Sequence, residues 1–466
     1  MKRLFIVLLA IIVASVTAEG RKVKGTVKCE KEGLSGVIVT DGYDFTVTKS
    51  GGKFAFDISD DAEFVYIITP AGYVADWSSG VPAFYIPVSG RKSFDFNLQR
   101  TCGSDTYHII AVSDPQAYSD EHFAKFAAEP LDDLAKTASS LDGDAVGISL
   151  GDISWDRIDI LDMYKKEIVR AGIPFYPVVG NHDNEAYVQG DREAAAAYRS
   201  KMGPENYAFF MGNDLVIALD NIIYDTNFKS EDGYTDDVIG WVRGLLQLVS
   251  PDTDLYVAQH VPMGRGRRRL VNEDKLLELI QGHNVTVLSG HTHINSNREV
   301  QEGINDHNVA AICGAWWDTK HCSDGTPRGY KVFTKSNQDL TWYYKPVDYD
   351  KNHIAEVFAL DAETGHPDAV VVNVWDWDPQ WKVEWYEDGI HKGAMTPVRA
   401  ASPIFAEEIK AAYASSGEEI PGWKRARPSG HHFSATPSPS AHSVTIFIES
   451  RFGQKWSKTV ELPIVK

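Results

Sequence analysis

Five apolar runs in this chain each stop at a polar cluster, and that recurrence constrains the fold more than any other feature. Ile109-Ile110-Ala111-Val112-Ser113 leads into Asp114-Pro115-Gln116, and the run 145–150 leads into Gly151-Asp152. The run 173–179 leads into Gly180-Asn181-His182-Asp183, 255–259 ends at His260, and 285–289 ends at Gly290-His291-Thr292-His293. Short apolar runs bounded by turn residues and rich in β-branched side chains read as buried strands. In open α/β sheets, ligand sites gather at the carboxyl ends of strands. One such cluster alone is also compatible with a polar turn. Five strand ends delivering Asp, Asp, Asn, His and a His-x-His pair read as a metal site.

Between these runs the pattern is helical. Residues 121–139 carry Phe123, Phe126, Ala127, Leu131 and Leu134 at helix spacing. Residues 158–171, 191–202 and the stripes Trp241/Leu245/Leu248 and Leu276/Leu277/Ile280 predict further helices. A hairpin is expected about Gly212-Asn213. The region 103–345 is thus expected to be an α/β sandwich with its ligand-bearing loops on one edge.

On either side the helical signal disappears. Residues 19–102 alternate short β runs with turns, which predicts a small β-sandwich with no visible chemistry. Residues 346–466 are again dominated by strands, with a Ser/Pro/Gly/His-rich stretch at 415–442 expected as a long loop. His431-His432 within it lacks accompanying ligand spacing and reads as solvated. The fold class is therefore α/β, with β-rich domains before and after the central one. A chain of 466 residues has room for three such units.

Lys2 and Arg3 precede the apolar run 4–13, and Val16-Thr17-Ala18 has the spacing of a cleavage site. Residues 1–18 are expected to be a signal peptide, which places the mature chain in the periplasm or outside the cell; an uncleaved anchor is the alternative. No later run is long enough to cross a membrane. A formal charge of −19 argues against a nucleic-acid surface. Four cysteines, Cys29, Cys102, Cys313 and Cys322, suit an oxidising compartment, and spacing leaves both their pairing and free thiols open.

In order and in type, the five clusters resemble the calcineurin-like metallophosphoesterase family, whose pattern runs D-x-H, G-D, G-N-H-D/E, H and G-H-x-H. Asp114, Gly151-Asp152, Gly180 to Asp183, His260 and Gly290 to His293 match it. Gln116 departs, standing where the family has a histidine. The flanking modules are also similar to those of exported members. The resemblance implies hydrolysis of phosphate monoesters or diesters at a dinuclear site. Two divalent metals roughly 3.5–4 Å apart neutralise phosphate oxygens and lower the pKa of a bound water, so that hydroxide attacks near neutral pH. It further implies that one metal takes Asp114, Gln116, Asp152 and His293, and the other Asp152, Asn181, His260 and His291, with Asp152 bridging. Mn, Fe and Zn all suit such donors, and the neutral amide of Gln116 makes the first site weaker and harder. His182 is the implied acid for the leaving oxygen, with Asp183 orienting its imidazole.

Arg265, Arg267, Arg268 and Arg269 follow His260 closely; Arg265 and Arg267 are candidate substrate contacts, or the segment is a solvated basic loop. Trp316-Trp317 either walls the pocket or packs an interface. The expected substrate is a phosphorylated small molecule, a glycan or a lipid headgroup. A non-catalytic, metal-dependent surface binding protein is the alternative function.

Overall fold

The computed structural model describes residues 21–463 apart from 186, 226–228, 265–268 and 415–416. The expected signal segment and the candidate contacts Arg265 and Arg267 lie outside the described residues. No helix among the described residues is long and apolar enough to cross a membrane.

Two sheets face each other in the central region. In the first, β1 (Thr106–Val112), β2 (Asp144–Leu150) and β3 (Phe175–Val178) run parallel, and Gly329–Ser336 and Asp339–Pro346 continue the sheet antiparallel beside β1. In the second, β4 (Leu255–Ala258) and β5 (Val285–Ser289) are parallel neighbours, with the hairpin Tyr207–Met211/Asp214–Ala218 on one side. All four residues of β3 and of β4 are buried, which explains why these strands read as continuous apolar runs and not as alternation. The five strands carrying the polar clusters thus divide three and two between the sheets. Their carboxyl ends converge at one edge of the sandwich.

Helices cover the outer faces. The periodicity over 121–139 is carried by two helices, Asp120–Ala128 and Pro130–Ser139. Pro130 explains the break: it has no N–H to donate and fits the first turn of a new helix.

The N-terminal region is two-layered. Arg21–Cys29 pairs with Lys53–Ile58 and Ser93–Arg100, and Ile38–Thr40 and Phe64–Ile67 lie in a second sheet. Its apolar face is continuous with the central core: the rings of Phe84 and Tyr207 lie 4.8 Å apart, and Tyr66 donates to the Asn206 carbonyl at 2.9 Å.

The C-terminal region holds two four-stranded sheets and the helix Pro403–Ala414. The expected loop 415–442 is corrected here, because Ser429–Ala435 is a strand with buried His431 and His432. Polar partners make that burial tolerable. His431 meets Asn373 Oδ1 at 2.7 Å and Asp324 Oδ2 at 3.1 Å, and His432 meets Ser429 at 2.8 Å. The four cysteines are free thiols, three of them buried.

Candidate metal centre and active site

Backbone geometry shapes this edge before any side chain acts. Asp114, Gln116, Asp152, His291 and His293 all have left-handed φ, between 39° and 69°. Such conformations are uncommon outside glycine and cluster at functional sites. The neighbouring glycines are required by close approach. A Cβ on Gly180 would sit 2.1 Å from the Asp152 nitrogen, and one on Gly290 would sit 1.8 Å from Ser113 Oγ. These two glycines therefore let one ligand-bearing loop lie against the next.

The seven donors expected from the sequence come together. His260, fully buried, sets its Nδ1 2.7 Å from the Leu150 carbonyl. A carbonyl only accepts, so Nδ1 carries the proton and Nε2 faces the site. That Nε2 lies 3.2 Å from Asn181 Oδ1 and 3.2 Å from His291 Nδ1, and His291 Nδ1 lies 3.1 Å from the same Asn181 oxygen. Asp152 Oδ2 is 3.2 Å from His260 Nε2, and ligand atoms of Asp152, His260 and His291 fall within 4.8 Å of one another. On the other side, His293 Nε2 stands 3.3 Å from Asp114 Oδ1, and Gln116 Nε2 donates to Asp152 Oδ2 at 2.7 Å.

This donor set fits cations. Gln116 Oε1 and His293 Nδ1 are buried with no hydrogen-bond partner, an arrangement that costs free energy unless something completes it, and Asp114 Oδ1 makes no hydrogen bond beside its 3.3 Å contact with His293. The field says the same. Burial opposes a charged His260 ring, yet the carboxylates of Asp152 and Asp114 outweigh it and raise its pKa to about 10. Burial likewise opposes the Asp152 carboxylate, but the His260 and His182 partners hold its pKa well below the usual range. Metal ligands must give up their protons, so buried carboxylates facing imidazole nitrogens suit a divalent cation.

His182 stands at the pocket face of this cluster, its backbone N–H given to Asp152 Oδ1 at 2.8 Å. Here one expectation is corrected. Asp183 does not orient the imidazole: its buried carboxylate accepts from the backbone of Gly180 (3.0 Å), Ile153 (3.2 Å) and Ser154 (2.8 Å). It clamps the loop after β3 to the loop after β2. Burial and the charge of Asp152 push its pKa up to about 7 against those three N–H groups. The group on His182 Nδ1 is Asp156, at 2.9 Å. Asp156 carries a left-handed φ of 55° and lies four residues after Asp152, a signal visible in the sequence but too short to single out.

Trp316 lines the pocket, one of the two readings of that pair, while Trp317 packs into the central core and donates from its indole to the Pro115 carbonyl at 2.9 Å. Trp155 and Trp423 also line it, and neither was legible as a site residue. Asn295, two residues beyond His293, donates to the Trp375 carbonyl at 2.6 Å and to Asp376 at 3.1 Å, so the C-terminal region braces the His291–His293 loop.

Fold and donors together define a metal-binding α/β sandwich whose site sits at strand ends. Family comparison gives that class its name. The profile described as calcineurin-like phosphoesterase matches 107–295, that for the N terminal of calcineurin-like phosphoesterase matches 21–101, and that for its C terminal matches 306–456. The chain belongs to the calcineurin-like phosphoesterase family and is a metal-dependent phosphoesterase hydrolase; the alternative of a non-catalytic binding protein is set aside. No curated protein matches it. Among solved structures, a dimetal phosphatase from Danio rerio is similar at 13% identity and a TM-score of 0.35, over 51% of this chain and 98% of that one. A 5'-nucleotidase from Candida albicans is similar at 12% identity and a TM-score of 0.33, over 51% of each chain. A 5'-nucleotidase precursor from Thermus thermophilus follows at 13% and 0.31, over 52% of this chain and 54% of that one. This chain thus spans about half the length of either nucleotidase.

Proposed function

We propose that the chain hydrolyses phosphate esters of small molecules with two divalent cations, in the periplasm or outside the cell. Asp114, Gln116, Asp152 and His293 would hold one cation, and Asp152, Asn181, His260 and His291 the other. Bound there, the cations neutralise phosphate oxygens and make a water nucleophilic near neutral pH. The protein's own part is positional. Asn181, His260 and His291 are set by strand ends, and Gly180 and Gly290 let their loops close on Asp152 and Asp114. His182, partly exposed in the pocket, gives a proton to the departing alkoxide, and Asp156 holds the ring through its 2.9 Å contact with Nδ1. Asp183 keeps the His182 loop in place without touching the reaction.

The observation that carries this reading is the pair of buried atoms without a hydrogen-bond partner, Gln116 Oε1 and His293 Nδ1, beside the Asp114 carboxylate and imidazole nitrogens 3.2 Å apart. Monoesters and diesters, with a sugar, glycan or lipid headgroup as the alcohol, all suit these donors. Metal analysis of the purified chain, joined to a panel of phosphate esters, tests it: two equivalents of metal and turnover of some ester are expected, and a metal-free, inactive protein that stays so on titration with Mn or Zn overturns it. Export is supported by the charged start and apolar run of residues 1–18. Mass spectrometry of the exported protein should find Glu19 at its N-terminus, and an intact Met1 would refute cleavage.

A further inference from the structure

Beside the metal donors stand three tryptophans from distant parts of the chain. Trp155 follows the Asp152 loop, Trp316 lies beyond β5, and Trp423 arrives from the C-terminal region. All three line one cavity of about 210 Å³ with Gln116, Asp152, Asn181, His182, His291 and His293. Trp423 meets Trp316 edge-on at 4.4 Å and Trp155 at 6.1 Å, while Trp155 and Trp316 stand 6.2 Å apart. None of these pairs is stacked face to face.

The chain spends conformational energy on this arrangement. Trp316 and Trp317 are consecutive left-handed residues, with φ of 53° and 67°. For bulky side chains that is a true outlier, and such strain persists where surrounding structure holds it for a purpose. Trp317 is buried and pinned to the Pro115 carbonyl, and the turn that results sets the Trp316 ring 4.6 Å from His293. Trp423 remains 44% exposed, so part of its ring is open to solvent at the pocket. Its neighbour Lys424 pairs with Asp318 and lies 5.1 Å over Trp423 and 5.8 Å over Trp316, locking the two rings together.

We propose that Trp155, Trp316 and Trp423 form an aromatic subsite that takes the flat, uncharged face of the substrate's alcohol portion, an aromatic ring or the C–H face of a sugar. The inference rests on the phosphoesterase reading above and names the substrate class for that site. Position supports it: the Trp155 ring lies 5.3 Å from His182, the group assigned to the leaving oxygen, so the alcohol side falls among the tryptophans. Charge narrows it. Aromatic boxes also bind quaternary ammonium groups, but Lys424 already occupies the cation position over two of these rings and would repel a second positive charge.

The test compares kcat/KM of the full metal-loaded chain for phenyl phosphate, adenosine 5'-phosphate, glucose 6-phosphate, phosphocholine and glycerol 3-phosphate. Ring-bearing esters should exceed glycerol 3-phosphate, and Trp423→Ala should lower that ratio about tenfold through KM, in line with the loss of one stacking partner. Trp423→Phe should retain most of it. The phenyl and adenosine esters set against the glucose ester tell an aromatic ring from a sugar face. Preference for phosphocholine, equal loss on every ester, or no preference for rings overturns the proposal. A second readout is independent of turnover. Adenosine and methyl glucoside, which carry no phosphate, are titrated into the metal-free chain while tryptophan fluorescence is followed. A saturable change with either, absent in Trp423→Ala, supports the subsite even if no ester is hydrolysed, in which case the phosphoesterase reading alone fails. No saturable change with either overturns the subsite.

Discussion

The two halves of the donor cluster are built from the same kind of strand end, yet they are unlike in chemistry. Around Asn181, His260 and His291, two imidazoles and one amide oxygen converge within 3.1–3.2 Å of one another, and His260 is anchored by a main-chain carbonyl. Around Asp114, Gln116 and His293 there are two oxygens and one imidazole, and each of these residues keeps a buried atom with no hydrogen-bond partner. The first half is rich in nitrogen and fully braced. The second is richer in oxygen. Ligand softness governs which metal a site takes, so on the proposed reading the halves differ in preference, the Gln116 side leaning toward harder ions such as Mn or Mg.

The largest expected effect removes what the halves share. Asp152→Asn should lose both metals, since the bridging charge that offsets repulsion between two cations is gone; metal analysis showing one equivalent retained would break the symmetry of that role. Next comes the separation of holding metal from doing chemistry. His182→Ala should keep near-normal metal content while kcat falls roughly 10²-fold or more. The loss should be greater on an alkyl or sugar phosphate than on an activated aryl phosphate, whose anion departs without a proton. Equal loss on both would mean that His182 positions the phosphate instead.

A smaller effect is expected one step behind. Asp156→Asn keeps a hydrogen-bonding group on His182 Nδ1 but removes the charge, so kcat on alkyl esters should drop roughly tenfold with the same leaving-group dependence. No change in kcat would leave the 2.9 Å contact without catalytic consequence. The smallest effect belongs to the departing residue itself. Gln116→His should tighten the oxygen-rich half several-fold and draw its preference toward Zn, read by titrating the apo protein with Mn and with Zn. Unchanged affinity for both would say that the Gln116 amide is no ligand.

Much of this centre was legible because its parts are local. Each motif is a strand end, three of the five with a glycine at the turn, and strand ends are written in runs of a few residues. What misled the reading was adjacency. Asp183 sits next to His182 in sequence, yet the turn Asn181–Asp183 points the carboxylate back at the main chain of Gly180, Ile153 and Ser154. The carboxylate that does reach the imidazole comes from another loop. His431 was misread for the same reason, because its partners Asn373 and Asp324 lie 58 and 107 residues before it and no local pattern marks the pairing.

From the chain alone came the α/β centre between β-rich ends, the seven residues that converge at one edge and the departure at Gln116, all properties of residue type, order and short-range periodicity. Tertiary structure alone decided which carboxylate serves His182, how the C-terminal region braces the His291–His293 loop through Asn295, and that Trp423 crosses from that region to close the pocket with Trp155 and Trp316. The physical reason is common to all three. Hydrogen bonds and ring contacts between loops depend on where sheets packed tens of residues apart deliver their ends, and that placement is set by the shared core, not by any segment's own sequence.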